Sequence, residues 1–186
     1  MTHDLSHYIQ TFTRLRTDRT GGWTAVTKSR APNKPLLLLS VLDLFAQGQI
    51  RGNFIEITPE LGEAFASYWA CIMPPERTGN LALPFFHLRT SGFWHLVTQP
   101  GQEDALNVVG SIGALSQLKK LILGATLDDD LYILLQAESA RQTLRLALLE
   151  TYFSPEGQTA LLAQVALNGN AFAYSQELIE KARRQV

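Results

Sequence analysis

A short and almost entirely apolar segment dominates the hydrophobic pattern of this chain. From Leu36 to Ala46 only Ser40 and Asp43 are polar, and they lie three positions apart. A helix that is apolar nearly all round is buried in a core, and a segment this short cannot cross a bilayer. Pro35 fits the first helical position, where a fixed φ is favourable and a missing N–H costs nothing. The pattern therefore predicts a central, buried helix.

Apolar residues recur at helical spacing on both sides of this segment. Residues 4–16 predict an amphipathic first helix, and a helix that follows Thr58-Pro59 is expected to stop at Pro74-Pro75. In the C-terminal half, Gly124 and Asn168-Gly-Asn170 are predicted breaks, and helices are predicted over residues 111–123, 129–152, 155–167 and 171–184.

Two apolar runs within residues 81–97 flank Ser91-Gly92 and predict a β-hairpin. With a two-residue loop Arg89 faces Trp94 across the strands, whereas a three-residue loop places His87 opposite His95. A short extended piece is also expected around Ile55. The predicted fold class is therefore mainly α with a small β-hairpin element (α+β), a compact helical domain.

The composition narrows the classes of protein that this chain can belong to. Its 186 residues suggest a single domain over residues 1–186, and 46% hydrophobic with 18% charged residues supports a core. The single cysteine, Cys71, excludes a disulfide framework and a cysteine zinc site. Since we see neither a signal pattern nor a segment of membrane length, we expect a cytoplasmic location. A net charge of −1 means that any nucleic-acid binding needs a local basic face.

A basic, proline-punctuated turn precedes the central helix. A helix N-terminus adds partial positive charge and free N–H donors, so this turn is a candidate phosphate site. The competing interpretation is a capped core helix with solvated lysines. The candidate residues are Lys28, Ser29, Arg30, Asn33 and Lys34.

Other chemistry is weakly indicated. His3 and His7 lie four apart, and His87 and His95 flank the predicted hairpin, but no third metal ligand has motif spacing. The acidic run Asp128–Asp130 could hold a divalent ion, although carboxylates at a helix start usually complement the dipole. The chain has no phosphate-binding loop, nucleophile elbow or convincing nuclease centre. We therefore expect no enzyme activity of this chain alone, and no cofactor or metal.

Three blocks of sequence carry a resemblance to a known family. They are Arg30-Ala-Pro-Asn-Lys-Pro-Leu-Leu-Leu-Leu, then Leu83-Pro-Phe-Phe-His-Leu-Arg followed by Gly92-Phe-Trp-His, and finally Thr151-Tyr-Phe-Ser. In order and spacing they resemble the sulfur-binding domain of phosphorothioate-dependent HNH restriction endonucleases. The resemblance extends over residues 5–185.

The resemblance implies recognition of double-stranded DNA in which sulfur replaces a non-bridging phosphate oxygen. It places the chain in a bacterial defence system, as the recognition module of a restriction endonuclease whose HNH nuclease is fused or separate. By resemblance, the basic turn contacts the modified backbone, and the proline-containing segment lines an apolar sulfur pocket of Leu83, Pro84 and His87. Arg89 is a further candidate for a base or backbone contact.

The chain departs from the family pattern at two positions. Asn33 stands where the family usually has His, and Leu83 precedes the proline where an aromatic residue also occurs. An apolar pocket still suits sulfur, because sulfur loses less than a phosphate oxygen on desolvation, while the charge still needs Arg30 or Lys34. Two alternatives stay open: a helical protein-interaction or regulatory domain with an apolar groove, and a metal-dependent nuclease using Asp128–Asp130.

Overall fold

The computed structural model describes residues 2–184. Its helices are α1 (Leu5–Thr13), α2 (Asn33–Ala46), α3 (Pro59–Ile72), α4 (Ala82–His87), α5 (Glu103–Val108), α6 (Leu115–Leu121), α7 (Asp129–Leu134), α8 (Glu138–Tyr152) and α9 (Pro155–Arg184). The strands are β1 (Ile55–Glu56), β2 (Trp94–Thr98) and β3 (Ile122–Leu127), and 3₁₀ turns cover Ala25–Thr27 and Leu88–Ser91. None of the helices in the described range is long and apolar enough to span a membrane.

Helix α2 is the central buried helix that the sequence predicts. All residues from Pro35 to Phe45 are buried, and α2 packs against α3, α4, α8 and α9. It begins at Asn33, so Pro35 occupies the third helical position, where an N–H would still lack an intrahelical acceptor. The earlier start brings Asn33 and Lys34 into the first turn of the helix.

A buried carboxylate joins α2 to three other helices. Asp43 accepts hydrogen bonds from Tyr68 Oη at 2.5 Å, Arg145 Nη2 at 2.9 Å and Asn168 Nδ2 at 3.0 Å. Burial and the neighbouring Asp43 charge raise the pKa of Tyr68 well above its ordinary range. This network fixes α3, α8 and α9 around the central helix.

The predicted break at Asn168-Gly-Asn170 is wrong, because α9 runs through it without interruption. Glycine in a helix interior costs about 1 kcal/mol relative to alanine. The hydrogen bond of Asn168 to Asp43, together with the packing of α9 on α3 and α8, outweighs that cost. The predicted helical region 129–152 is divided instead, into α7 and α8.

The three strands form one antiparallel sheet in the order β1-β3-β2. Strand β3 occupies residues for which the sequence predicts the end of a helix and a break at Gly124. That glycine allows β1 to approach closely, since a Cβ there would lie 2.5 Å from the carbonyl oxygen of Ile55. The predicted class, mainly α with a small β element, is confirmed.

The predicted hairpin within residues 81–97 is wrong. Residues 82–91 are helical, and the chain becomes extended only at Trp94. Apolar side chains at 81, 82, 85, 86 and 88 are buried, a spacing that suits one helix face better than alternating strand faces. Gly92, with φ +88°, ends the helical turn.

The cross-strand pairs expected of the hairpin are therefore absent from the described structure. Arg89 lies over the ring of Phe86, with Cζ 3.8 Å from the ring centroid. His95 pairs with Thr126 of β3, and not with His87.

Candidate nucleic-acid interface

The first turns of α2 and α4 line one open cavity of about 650 Å³, which we call the main groove. Other parts of its lining come from the loop after α1 and the loop after α3. The residues that matter most for its chemistry are Arg16, Asn33, Lys34, Leu83, Pro84 and His87.

The main groove brings together the two halves of the site that the sequence predicts. Asn33 and Lys34 come from α2, whereas Leu83, Pro84 and His87 come from α4, which packs on α2. Pro84 holds the third position of its helix, where its missing N–H leaves no hydrogen bond unmade. The Lys34 side chain and the first turn of α2 thus line the same groove as an apolar wall formed by Leu83 and Pro84.

Lys34 carries a positive charge that the described protein does not neutralise. Burial and the nearby charge of Arg16 lower the pKa of Lys34 below its ordinary value. Burial and the charges of Lys34 and Arg89 likewise lower the pKa of His87. Across residues 2–184, no carboxylate lies within ion-pair distance of Lys34 or Arg16. An anion in the groove would relieve this excess of positive charge.

The remaining candidates of the basic turn lie outside the lining of the main groove. Lys28 Nζ donates to the carbonyl oxygen of Glu150 at the end of α8. The guanidinium of Arg30 lies 5.5 Å from the ring centroid of Tyr152. Lys28 and Ser29 both have left-handed backbone angles, with φ of 49° and 56°. This turn is therefore held against α8 in a sparsely populated conformation, which fixes the approach to α2.

Arg89 also lies outside the lining of the main groove. Its guanidinium covers Phe86 and lies 3.4 Å from the carbonyl oxygen of Val109. Its positive charge contributes to the lowered pKa of His87, which lines the main groove.

Two loops contribute an aromatic rim that the sequence motifs do not reveal. Arg77 Cζ lies 4.1 Å from the ring centroid of Trp23, and Trp69 Nε1 donates to the Arg77 carbonyl oxygen at 2.6 Å. Trp23 Nε1 in turn donates to Asp18 Oδ2 at 2.9 Å. The only sequence signal for this rim is the presence of tryptophan and arginine in polar loops, without any motif spacing. Arg16 of the groove lining was missed for the same reason.

Among the residues that the structure describes, Asp18 is the one Asp or Glu in the main-groove lining. Its carboxylate accepts hydrogen bonds from Thr20 Oγ1 at 2.7 Å, Trp23 Nε1 at 2.9 Å and the N–H groups of Thr20 and Gly21. These donors hold the pKa of Asp18 well below its usual range. Because its oxygens are already occupied, Asp18 organises the loop and does not pair with Lys34.

A second cavity of about 370 Å³, which we call the side groove, adjoins the main groove. Its lining combines residues of α1, the segment after it and the 3₁₀ turn before β2. Arg16 and Thr90 line both cavities, so the two grooves meet at these residues. The rest of its lining includes Gln10, Thr11, Arg14 and Ser91.

The acidic run and the histidines outside α4 make contacts within the protein. His3 and His7 stack with ring centroids 3.8 Å apart, and His95 Nε2 lies 2.7 Å from Asp128 Oδ1. Residues 2–184 contain no group of three or more His, Cys, Asp or Glu that could hold a metal ion. Each carboxylate of the run accepts a hydrogen bond: Asp128 from Tyr8 Oη at 3.1 Å, Asp129 from Asn53 Nδ2 at 3.0 Å and Asp130 from the His3 N–H at 2.8 Å.

A family model described as ScoMcrA-like, DNA sulfur-binding domain, matches residues 6–170. The matched range includes both first turns that line the main groove, and it extends from α1 into α9. No curated protein matches the chain.

Proposed function

The chain belongs to the ScoMcrA-like DNA sulfur-binding domain family, and on this premise we propose that its main groove receives the phosphorothioate linkage of double-stranded DNA. The family supports binding of phosphorothioate DNA in a restriction context, as a recognition module. The placement of the sulfur and the assignment of the contacting residues are our proposal.

The observation that carries this proposal is that Lys34, Leu83 and Pro84 line one cavity. A phosphorothioate keeps the negative charge of a phosphate, but one of its outer atoms is a large and weakly hydrogen-bonding sulfur. Lys34 supplies the counter-charge, whereas Leu83 and Pro84 present carbon atoms to the sulfur. A phosphate oxygen against the same wall would lose its hydrogen bonds to water without replacement, which is costly. The wall therefore discriminates between the two atoms.

Charge and hydrogen bonding favour an anion at this place. The first N–H groups of α2 have no intrahelical acceptor, and the helix dipole adds partial positive charge there. The Asn33 amide offers a neutral hydrogen bond to a backbone oxygen or to a base edge. Asn33 occupies the position of the usual family histidine, so it makes this contact without a titratable group.

We further propose the biological setting that the family resemblance implies. The chain acts as a single recognition domain over residues 1–186, of which residues 1, 185 and 186 lie outside the described structure. It supplies target selection to an HNH nuclease, fused or separate, in the cytoplasm of a bacterium. Cleavage belongs to that partner. Lys28, Ser29, Arg30 and Arg89 are kept as outer candidates for backbone contacts.

A binding comparison tests the proposal directly. Matched duplexes that differ only in one sulfur atom are titrated with the chain, in both stereochemical forms and with varied flanking bases. We expect tighter binding to one sulfur stereoisomer than to the oxygen duplex. Equal affinity for all three duplexes would overturn the assignment, and no binding at low salt would favour a protein-interaction domain.

A further inference from the structure

The side groove extends the basic lining beyond the proposed sulfur site. Arg14 and Arg16 lie in it, and among the described residues no Asp or Glu is part of its lining. Lys34 and Arg77 line the adjoining main groove. Four cationic side chains therefore line the two adjoining grooves, together with the fully hydrogen-bonded Asp18, in a chain whose formal net charge is −1. The charge is concentrated here although the protein as a whole is slightly acidic.

The side groove also lies at the C-terminal end of α1, where helix carbonyls would normally repel an anion. In this protein the carbonyl oxygens of Gln10, Thr11 and Phe12 already accept hydrogen bonds. Thr13 Oγ1 donates to Gln10 at 3.0 Å, the Arg14 N–H to Thr11 at 3.2 Å, and Tyr152 Oη to Phe12 at 2.8 Å. The partial negative charge of the helix end is thus reduced, and the arginine charges dominate.

Neutral donors in the side groove are available for a ligand. Within the part of the chain that the structure describes, the Gln10 amide and the Ser91 hydroxyl make no hydrogen bond to the protein. The Thr11 and Thr90 hydroxyls donate to helix carbonyls of His7 and His87 and retain acceptor capacity only. Arginine, amide and hydroxyl donors around an open channel are the groups that proteins use to hold DNA phosphates.

We propose that the side groove binds unmodified phosphates of the DNA backbone that flank the phosphorothioate on one side. The inference rests on the proposed function of the main groove, because the path of the backbone is taken from Arg16 and Thr90, which line both cavities. Arg14 contacts one of these flanking phosphates. This contact adds affinity for sulfur and oxygen duplexes alike, whereas the apolar wall of the main groove supplies the selectivity for sulfur.

The test uses Arg14→Ala with Arg51→Ala as its matched control. Arg14 and Arg51 are both exposed, and Arg51 lines neither cavity. We expect Arg14→Ala to weaken binding of sulfur and oxygen duplexes by the same factor, and to reduce the log–log salt slope by about one. Arg14→Lys should restore the slope. Arg51→Ala should change neither quantity.

Shortened duplexes locate the contact. Two duplexes are truncated close to the linkage, one on each side. On one of them Arg14→Ala should bind as the unaltered chain does, because the flanking phosphate is missing. If Arg14→Ala matches Arg51→Ala on the full duplex, or if neither truncation removes its effect, the side-groove proposal is overturned. The sulfur preference of the unaltered chain is measured in the same titrations, so failure of the main-groove proposal is seen separately.

Discussion

Lys34 and Pro84 line the same groove although fifty positions separate them in the chain. The contact of α2 with α4 brings their first turns together, and both helices have a proline at the third position. Neither proline interrupts its helix, because the N–H groups of a first turn have no intrahelical acceptor. The same arrangement places a partly desolvated ammonium group beside apolar carbon atoms.

The charge of Lys34 should contribute to binding of modified and unmodified DNA alike. Lys34→Ala should weaken both complexes and lower the log–log salt slope by about one, since one phosphate contact is lost. Lys34→Arg serves as the control that keeps the charge. The measurement is a salt series by fluorescence anisotropy for both duplexes. An unchanged slope in Lys34→Ala would show that this ammonium group does not contact the backbone.

DNA binding should also depend on pH through His87. In the free protein the pKa of His87 lies below its ordinary value because of burial and the charges of Lys34 and Arg89. A bound anion favours the imidazolium form and raises that pKa, so the complex takes up protons relative to the free protein. Affinity should therefore increase as the pH falls through the range between the higher pKa of the complex and the lower pKa of the free protein.

The control for this pH effect is a comparison of two histidine variants. His87→Gln should remove the proton-linked part of the affinity, whereas His95→Gln, on β2, should retain it. Proton uptake measured by calorimetry in two buffers of different ionisation enthalpy gives an independent reading. Equal pH dependence in His87→Gln and in the unaltered chain would contradict the prediction.

The position of α2 and the class of the fold could be predicted, because both follow from periodicity and composition. An apolar run between Leu36 and Phe45 permits few alternatives to a buried helix. The run in residues 81–97 is ambiguous by contrast, since short apolar segments fit a strand or a helix equally well. Most of this run is helical in the structure because its buried side chains lie on one helix face. Their burial depends on packing against α2. The family resemblance nevertheless implied Leu83, Pro84 and His87 as pocket residues without the correct local structure; the structure places all three in the lining of the main groove, and their role in sulfur binding stays a prediction.

The rim of the main groove and the buried network were beyond sequence reasoning for a different reason. Trp23 and Arg77 lie in separate loops, and their stacking depends on how the loops after α1 and α3 meet. Asn168 resembles a helix break until its amide is seen to bind Asp43. Neither relationship has a local signature. The predicted DNA contacts of Lys28, Ser29, Arg30 and Arg89 stay predictions.

The Asp43 network should make a large contribution to stability. The Arg145 and Asp43 side chains are only 3% and 4% exposed. Arg145→Met would leave a buried carboxylate without its cation, for which a loss of about 3–5 kcal/mol in the free energy of unfolding is expected. Urea denaturation followed by circular dichroism measures it. The double variant Asp43→Asn with Arg145→Met should recover part of the loss, and a double variant no more stable than Arg145→Met would contradict the assignment.

Sulfur selectivity is expected to reside in the wall formed by Leu83 and Pro84. Because Leu83 lies in a helix and not in a strand, Gln is the appropriate polar replacement: it is a good helix former of similar length. Leu83→Gln places an amide against the sulfur, and burying a polar group without a partner costs about 1–3 kcal/mol. This corresponds to about a tenfold loss of affinity for each 1.4 kcal/mol. The oxygen duplex should lose less, since the amide can donate a hydrogen bond to a phosphate oxygen.

Leu83→Met keeps the apolar surface and should preserve the ratio of the two dissociation constants. The ratio is interpreted only in variants whose melting temperature stays near that of the unaltered chain, because a general loss of stability would weaken both complexes together. An unchanged ratio in a stable Leu83→Gln variant would move the sulfur site away from α4, while the contribution of Lys34 to backbone binding would stand on its own measurement.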